Sequence, residues 1–178
     1  MGTIFVDNLE PQSGTSLTLG ASGDTLTIPS GCTISNSGTA TGFGGGKIGQ
    51  VVQVSGNGGV STTSTSFVAA PIAVTITPTA TSSKVYVSIA FMNKTATDQE
   101  FIATIYRDST NLGDATDGFF SDQSKVANSK NLVYMQYVDS PSTTSATEYK
   151  VYFKGEGQTV TANNDEADWA FIAMEILD

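Results

Sequence analysis

The sequence predicts an all-β protein: a short N-terminal intertwined β-stem followed by a jelly-roll-like β-sandwich head. Three observations predict it. Apolar and polar residues alternate at period two through most of the chain beyond residue 47, the spacing of strands with one buried face. No window shows a convincing helical period. Glycine, serine and threonine are abundant while only 14% of residues are charged, so hydroxyls and amides coat the surface and turn residues separate the strands. A length of 178 residues holds one globular domain and a short appendage. The reading divides the chain into a lead segment at 1–15, a stem with a glycine-rich hinge at 16–46, and a head at 47–178.

In the lead, Ile4, Val6 and Leu9 have the spacing of one short strand, stopped by Pro11. It reads either as a frayed terminus or as a peptide that attaches the chain to a larger assembly. The stem, SLTLGASGDTLTIPSGCTISNSGTATGFGGG, carries apolar pairs Leu17/Leu19, Leu26/Ile28 and Cys32/Ile34, separated by the turn residues Gly20–Asp24 and Pro29–Gly31. Leu17 to Leu26 and Leu19 to Ile28 repeat the same offset, a short internal repeat. Strands this short need partners that share an apolar face, and the expected partners are other copies of the chain. Cys32 reads as a small buried apolar residue of the stem or as an interchain disulfide near a symmetry axis. The run Gly42-Phe43-Gly44-Gly45-Gly46 is followed by Lys47-Ile48, not by the Lys-Ser/Thr of a phosphate loop, so it is a hinge.

In the head, strands are expected over Lys47–Val54, Phe67–Thr77, Ser83–Met92, Glu100–Arg107, Asn131–Val138, Thr147–Lys154 and Asp168–Leu177. The clearest is Ser83–Met92, with Val85, Val87, Ile89 and Phe91 on one face. The last has Trp169, Phe171, Ala173 and Glu175 against Ala170, Ile172, Met174 and Ile176, largely apolar on both faces, and is expected to be central and buried. Tyr86, Tyr106, Tyr134 and Tyr152 lie opposite the core residues of their strands. They read as a second packed layer or subunit interface, or as a platform that stacks on sugars.

The chemistry is sparse. The formal charge is 8 − 17 = −9 and the basic residues are scattered, which disfavours nucleic acid as a partner. Without histidine there is no base for a Ser-His-Asp or Cys-His arrangement, and one cysteine makes no metal cluster. The expectation is no catalytic residue, no cofactor and no metal site. Two acidic stretches, Asp114/Asp117/Asp122 and Asn163/Asn164/Asp165/Glu166/Asp168, carry oxygen ligands of the kind Ca²⁺ takes but lack EF-hand spacing, and read otherwise as solvated loops. The N-terminus lacks the basic and apolar regions of a signal peptide, and no run approaches the roughly 20 apolar residues of a membrane span. Neither secretion nor membrane insertion is therefore expected.

The stem sequence MGTIFVDNLEPQSGTSLTLGASGDTLTIPSGCTISNSGTATGFGGG, the strand SSKVYVSIAF, the turn IYRDSTNLG, the hairpin DSPSTTSATEYKVYF and the terminal FIAMEILD together resemble small fibre and spike proteins of tailed bacteriophages, especially marine and cyanobacterial phages. The resemblance runs along essentially the whole chain. It implies a homotrimeric virion protein, with Leu17, Leu19, Leu26, Ile28, Cys32 and Ile34 in the trimer stem and Ile4, Phe5, Val6 and Leu9 in virion attachment. Cys32 stands where such stems often carry alanine. It implies no catalytic residues. The expected role is a tail fibre or spike whose head loops, at 56–66, 108–130, 139–146 and 155–167, contact a glycan or protein of the host surface. The alternative is a capsid decoration protein or head fibre, in which the N-terminal residues matter most.

Overall fold

The structure, a computed structural model, describes residues 9–33, 35, 37, 47–163 and 167–177. The chain divides into two units, Met1–Gly44 and Gly45–Asp178.

In the first unit the expected turns form. The Asp24 amide donates to the Ala21 carbonyl (3.0 Å) and the Ala21 amide to Asp24 Oδ2 (2.7 Å). The Cys32 amide donates to the Pro29 carbonyl (3.1 Å). Gly20, Gly23 and Gly31 take positive φ at these turns, which only glycine adopts without strain. The expected strands do not form among the described residues 9–33. A two-residue apolar step has no ladder to join unless another chain supplies one.

The second unit is all-β, with no helix among its described residues. Its strands are β1 (Ile48–Gly56), β2 (Val60–Thr62), β3 (Val68–Ile76), β4 (Lys84–Thr95), β5 (Gln99–Arg107), β6 (Thr110–Asn111), β7 (Phe120–Ser124), β8 (Leu132–Asp139), β9 (Thr147–Lys154), β10 (Val160–Ala162) and β11 (Trp169–Ile176). They build two antiparallel sheets in a jelly-roll-like sandwich. The six-stranded sheet runs β1-β11-β4-β10-β2, with β8 also paired to β4. The five-stranded sheet runs β3-β9-β5-β6, with β7 also paired to β5. The twelve-residue β4 organises the first sheet: it pairs with β11 over Lys84–Ala90, with β10 over Asn93–Thr95, and with β8 over Val85–Met92.

Period-two alternation explains the long strands. Val85, Val87, Ile89 and Phe91 of β4 face Ile72, Val74 and Ile76 of β3, Phe101, Ala103 and Ile105 of β5, and Tyr149, Val151 and Phe153 of β9 within one core. Burying each valine, isoleucine or phenylalanine among them contributes about 1.5–3 kcal/mol. Phe101 holds the aromatic centre, stacked on Phe153 at 5.6 Å and edge-on to Phe91 at 6.2 Å.

Polar clusters tie the sheets together at their ends. Asp139 of β8 is buried and accepts from Arg107 Nη1 of β5 (2.9 Å to each oxygen) and from the Tyr149 hydroxyl of β9 (2.8 Å). Burial, with Asp139 beside it, pushes the Tyr149 phenol far up, so it stays a donor. Elsewhere Asp122 Oδ2 of β7 accepts from Asn93 (3.0 Å) and Asn131 (2.8 Å). At a third point the fully buried Glu175 of β11 gathers Gln50 Nε2 (2.8 Å), the Thr79 amide (2.5 Å) and the Thr79 hydroxyl (2.7 Å).

Two expectations are corrected. The short strands β2, β6, β7 and β10 lie inside stretches read as loops, because two to five residues become strand only through the neighbour they pair with. β11 is central in its sheet, between β1 and β4, but only its Trp169, Phe171, Ala173 and Glu175 face is buried. Its Ala170, Ile172, Met174 and Ile176 face is half-exposed, because no further strand among the described residues of this unit packs on that side of the sheet.

Candidate functional site: three interaction surfaces

The residues assigned to the stem come first. Leu17, Leu19, Leu26 and Ile28 are 44%, 58%, 67% and 43% exposed, and Cys32 is exposed with a free thiol. The burial expected for Cys32 is therefore not achieved within one chain. Leu9 is 50% exposed. Ile34, Ile4, Phe5 and Val6 lie outside the described residues. Isolated exposed leucines are ordinary on protein surfaces. Here they recur at the internal repeat, and the turns between them are hydrogen-bonded, so the segment presents its apolar side chains in a regular series.

The second surface is the outer face of the six-stranded sheet. The strand register sets its side chains in cross-strand rows: Val138–Tyr86–Met174–Val51, then Gln136–Ser88–Ile172–Gln53, then Tyr134–Ala90–Ala170–Ser55. Val51, Tyr134 and Val138 are 58%, 51% and 48% exposed. The polar groups of β4 and β8 bond to each other. The Tyr86 and Tyr134 hydroxyls donate to Gln136 Oε1 (2.9 and 3.2 Å), and Ser88 donates to the Tyr134 hydroxyl (3.2 Å).

The third surface lies outside the five-stranded sheet. Tyr106 of β5 and Tyr152 of β9 stack at 3.9 Å with an interplanar angle of 22°. Phe67 meets Tyr106 edge-on at 6.4 Å, and Lys154 Nζ sits 4.9 Å above the Phe67 ring. Lys150 and Glu148 pair beside them at 2.6 Å. The four tyrosines thus divide, Tyr86 and Tyr134 on one outer face, Tyr106 and Tyr152 on the other. Single-sequence periodicity places each tyrosine opposite its own core residues, but which two share a face follows only from sheet membership.

Asp114, Asp122 and Asn163 of the two stretches are engaged in local hydrogen bonds. Asp114 Oδ1 accepts the Thr116 and Asp117 amides (2.7 and 2.9 Å), and those two amides hold its carboxyl below the usual range. Asp122 is taken up by Asn93 and Asn131. In the second stretch Asn163 is fully buried and its amide donates to the carbonyls of Asn57, Gly58 and Ala167, while residues 164–166 lie outside the described set. Among the described residues no group of three or more Asp, Glu, Cys or His is placed to hold a metal. Nor is any helix among them long and apolar enough to cross a membrane.

The fold defines the chain as an all-β sandwich protein. No family model matches it, and no curated protein matches it. Among solved structures it is similar to a chain of the infectious bursal disease virus Gx strain, with 12% identity, a TM-score of 0.39, and coverage of 85% of this chain and 42% of the other. It is similar also to a chain of the VP2 subviral particle of that virus, with 12% identity, a TM-score of 0.39, and coverage of 84% and 42%. The chain spans less than half the length of the structures it matches. Similarity at this level carries neither kinship nor function.

Proposed function

We propose that this chain is a non-enzymatic structural protein of a bacteriophage virion, a homotrimeric tail fibre or spike whose head contacts the host surface. The observation that carries the reading is the exposed series Leu17, Leu19, Leu26 and Ile28, set by hydrogen-bonded turns and without a strand partner among the described residues. Apolar side chains in that arrangement are stabilised when copies of the same segment wrap together, each supplying the ladder and the apolar cover the others lack. The sequence resemblance of the stem to phage fibre stems supports the same reading. In it Ile4, Phe5, Val6 and Leu9 join the chain to other virion proteins. Three heads on one stem make weak contacts with a host glycan or protein additive through avidity.

Sedimentation equilibrium of the full chain tests the trimer. The expected mass is three times that of the chain, and the pair Leu26→Ser and Ile28→Ser is expected to weaken assembly. A monomer at every concentration overturns the reading. A second role, decoration of the capsid or a head fibre, is favoured by one observation: β2, β6, β7 and β10 tie down most of the loops that a receptor contact would use. Gold-labelled antibody on intact particles separates the roles. A few copies at the tail support the fibre and many copies over the capsid support decoration. Unlabelled particles overturn both.

A further inference from the structure

We infer that the outer face of the six-stranded sheet is where the heads of neighbouring copies of this chain pack against one another. The inference rests on the trimer proposed above, but a different observation carries it: the distribution of charge over β1, β4, β8 and β11. These strands contain four charged residues, Lys84, Lys94, Asp139 and Glu175. Asp139 and Glu175 are buried on the inner side, and the two lysines stand at or next to the ends of β4. The three cross-strand rows between them hold no charge at all, on a chain of formal charge −9. The outer side of the other sheet shows what a solvated face of this same protein carries, with Glu100, Glu148, Lys150 and Lys154 on β5 and β9.

Neutrality selects the occupant. The three rows offer no complement to an acidic or basic partner, and Lys84 and Lys94, which share this face, stand only at its two ends. A second copy, itself strongly negative, meets the face without bringing like charges together, which is not true of the charged face opposite. Drying the β4–β8 half of the face is eased because Tyr86, Tyr134 and Ser88 already direct their hydroxyls at one another and at Gln136. Four strands spaced at roughly 4.8 Å and about seven residues long at ~3.4 Å each cover on the order of 450 Å² measured flat. An area of that size is comparable to the largest patch on a typical monomer, which is often functional. Leu132 and Ile48, 62% and 53% exposed, extend the patch at its ends. The flat area alone is a little over half of the ~800 Å² that each partner contributes to a standard interface.

The test places one charge on the face of the full chain. Val51→Asp and Leu132→Asp alter exposed edge-strand positions where the fold tolerates a polar side chain, and Ile172→Asp alters the centre. Val126→Asp, on the loop after β7 and 68% exposed, is the control. Circular dichroism and thermal melting establish folding, and sedimentation velocity over a dilution series gives the association constant. The expected result is at least a hundredfold weaker association for Val51→Asp and Leu132→Asp, with Val126→Asp unchanged. If the wild type is trimeric and the face variants associate as tightly as it does, the face inference is overturned and the stem trimer stands. If Val126→Asp weakens association equally, net charge rather than the face is responsible, and the inference is also overturned. A monomeric wild type overturns the trimer and this inference together.

Discussion

Glu175 offers the sharpest test of how the head is held together. It is a fully buried carboxylate facing the sandwich interior, and no cation among the described residues pairs with it. Burial alone pushes its pKa up. The hydrogen bonds from Gln50 and from the amide and hydroxyl of Thr79 outweigh that and bring the group down to about 2. A lowered folded pKa stabilises the protein fully above the unfolded value, here 4.5. That contribution is lost as pH falls through the interval from 4.5 to about 2. A shift of 4.5 − 2 = 2.5 units corresponds to about 3 kcal/mol, and solvent screening at the sandwich end reduces this to about 1–2 kcal/mol. Glu175→Gln keeps an acceptor for Thr79 but turns an NH₂ toward the NH₂ of Gln50. It is expected to cost about 1–2 kcal/mol at pH 7 by losing one charge-assisted hydrogen bond. Urea unfolding of both proteins at several pH values between 7 and 2.5 isolates this group, since the other carboxylates titrate in both. The gap is expected to be widest at neutral pH and to close towards pH 2.5. A gap of constant size across that range would refute the claim that the ionised carboxylate holds β1 and the β3–β4 loop to β11.

Other consequences are as direct. Asp139→Ala leaves Arg107 and the Tyr149 hydroxyl without their shared acceptor and is expected to cost about 3 kcal/mol, whereas Tyr149→Phe, which keeps the packing, costs about 1 kcal/mol by chemical denaturation. Gly59→Ala drives a methyl group into the Asn163 carbonyl, a backbone atom that cannot move aside without disrupting β10, and is expected to lower the melting temperature by roughly 6–10 °C. Cys32 reports on the stem: its exposed thiol reacts with a maleimide at the rate of a free cysteine in the isolated chain and at least tenfold more slowly in a closed assembly. Equal rates in trimer and dissociated chain would place Cys32 outside the stem contact.

The long strands were legible in the chain because period-two alternation is a local property. Ser83–Met92 needs no partner to declare which face is apolar, and the structure extends it only to Thr95. The turns at Ala21–Asp24 and Pro29–Cys32 were equally local, set by glycine, proline and aspartate. The short strands were not legible. Thr110–Asn111 has no alternation and Val160–Ala162 alternates over only three residues, and both are strand only because β5, β4 and β2 bond to them. The double apolar pattern of β11 was visible but ambiguous. A sequence lists what lies on each side of a strand, whereas the number of layers stacked above it is a property of the whole fold. For the same reason Glu175 looked like one acidic residue in an apolar strand, and only the approach of Gln50 and Thr79 from distant positions made it a buried, hydrogen-bonded carboxylate. What the sequence determined by itself was the alternation, the turns and the poverty of charge. The tertiary structure alone decided which neutral rows would line up across four strands, because register is set by pairing between segments far apart in the chain.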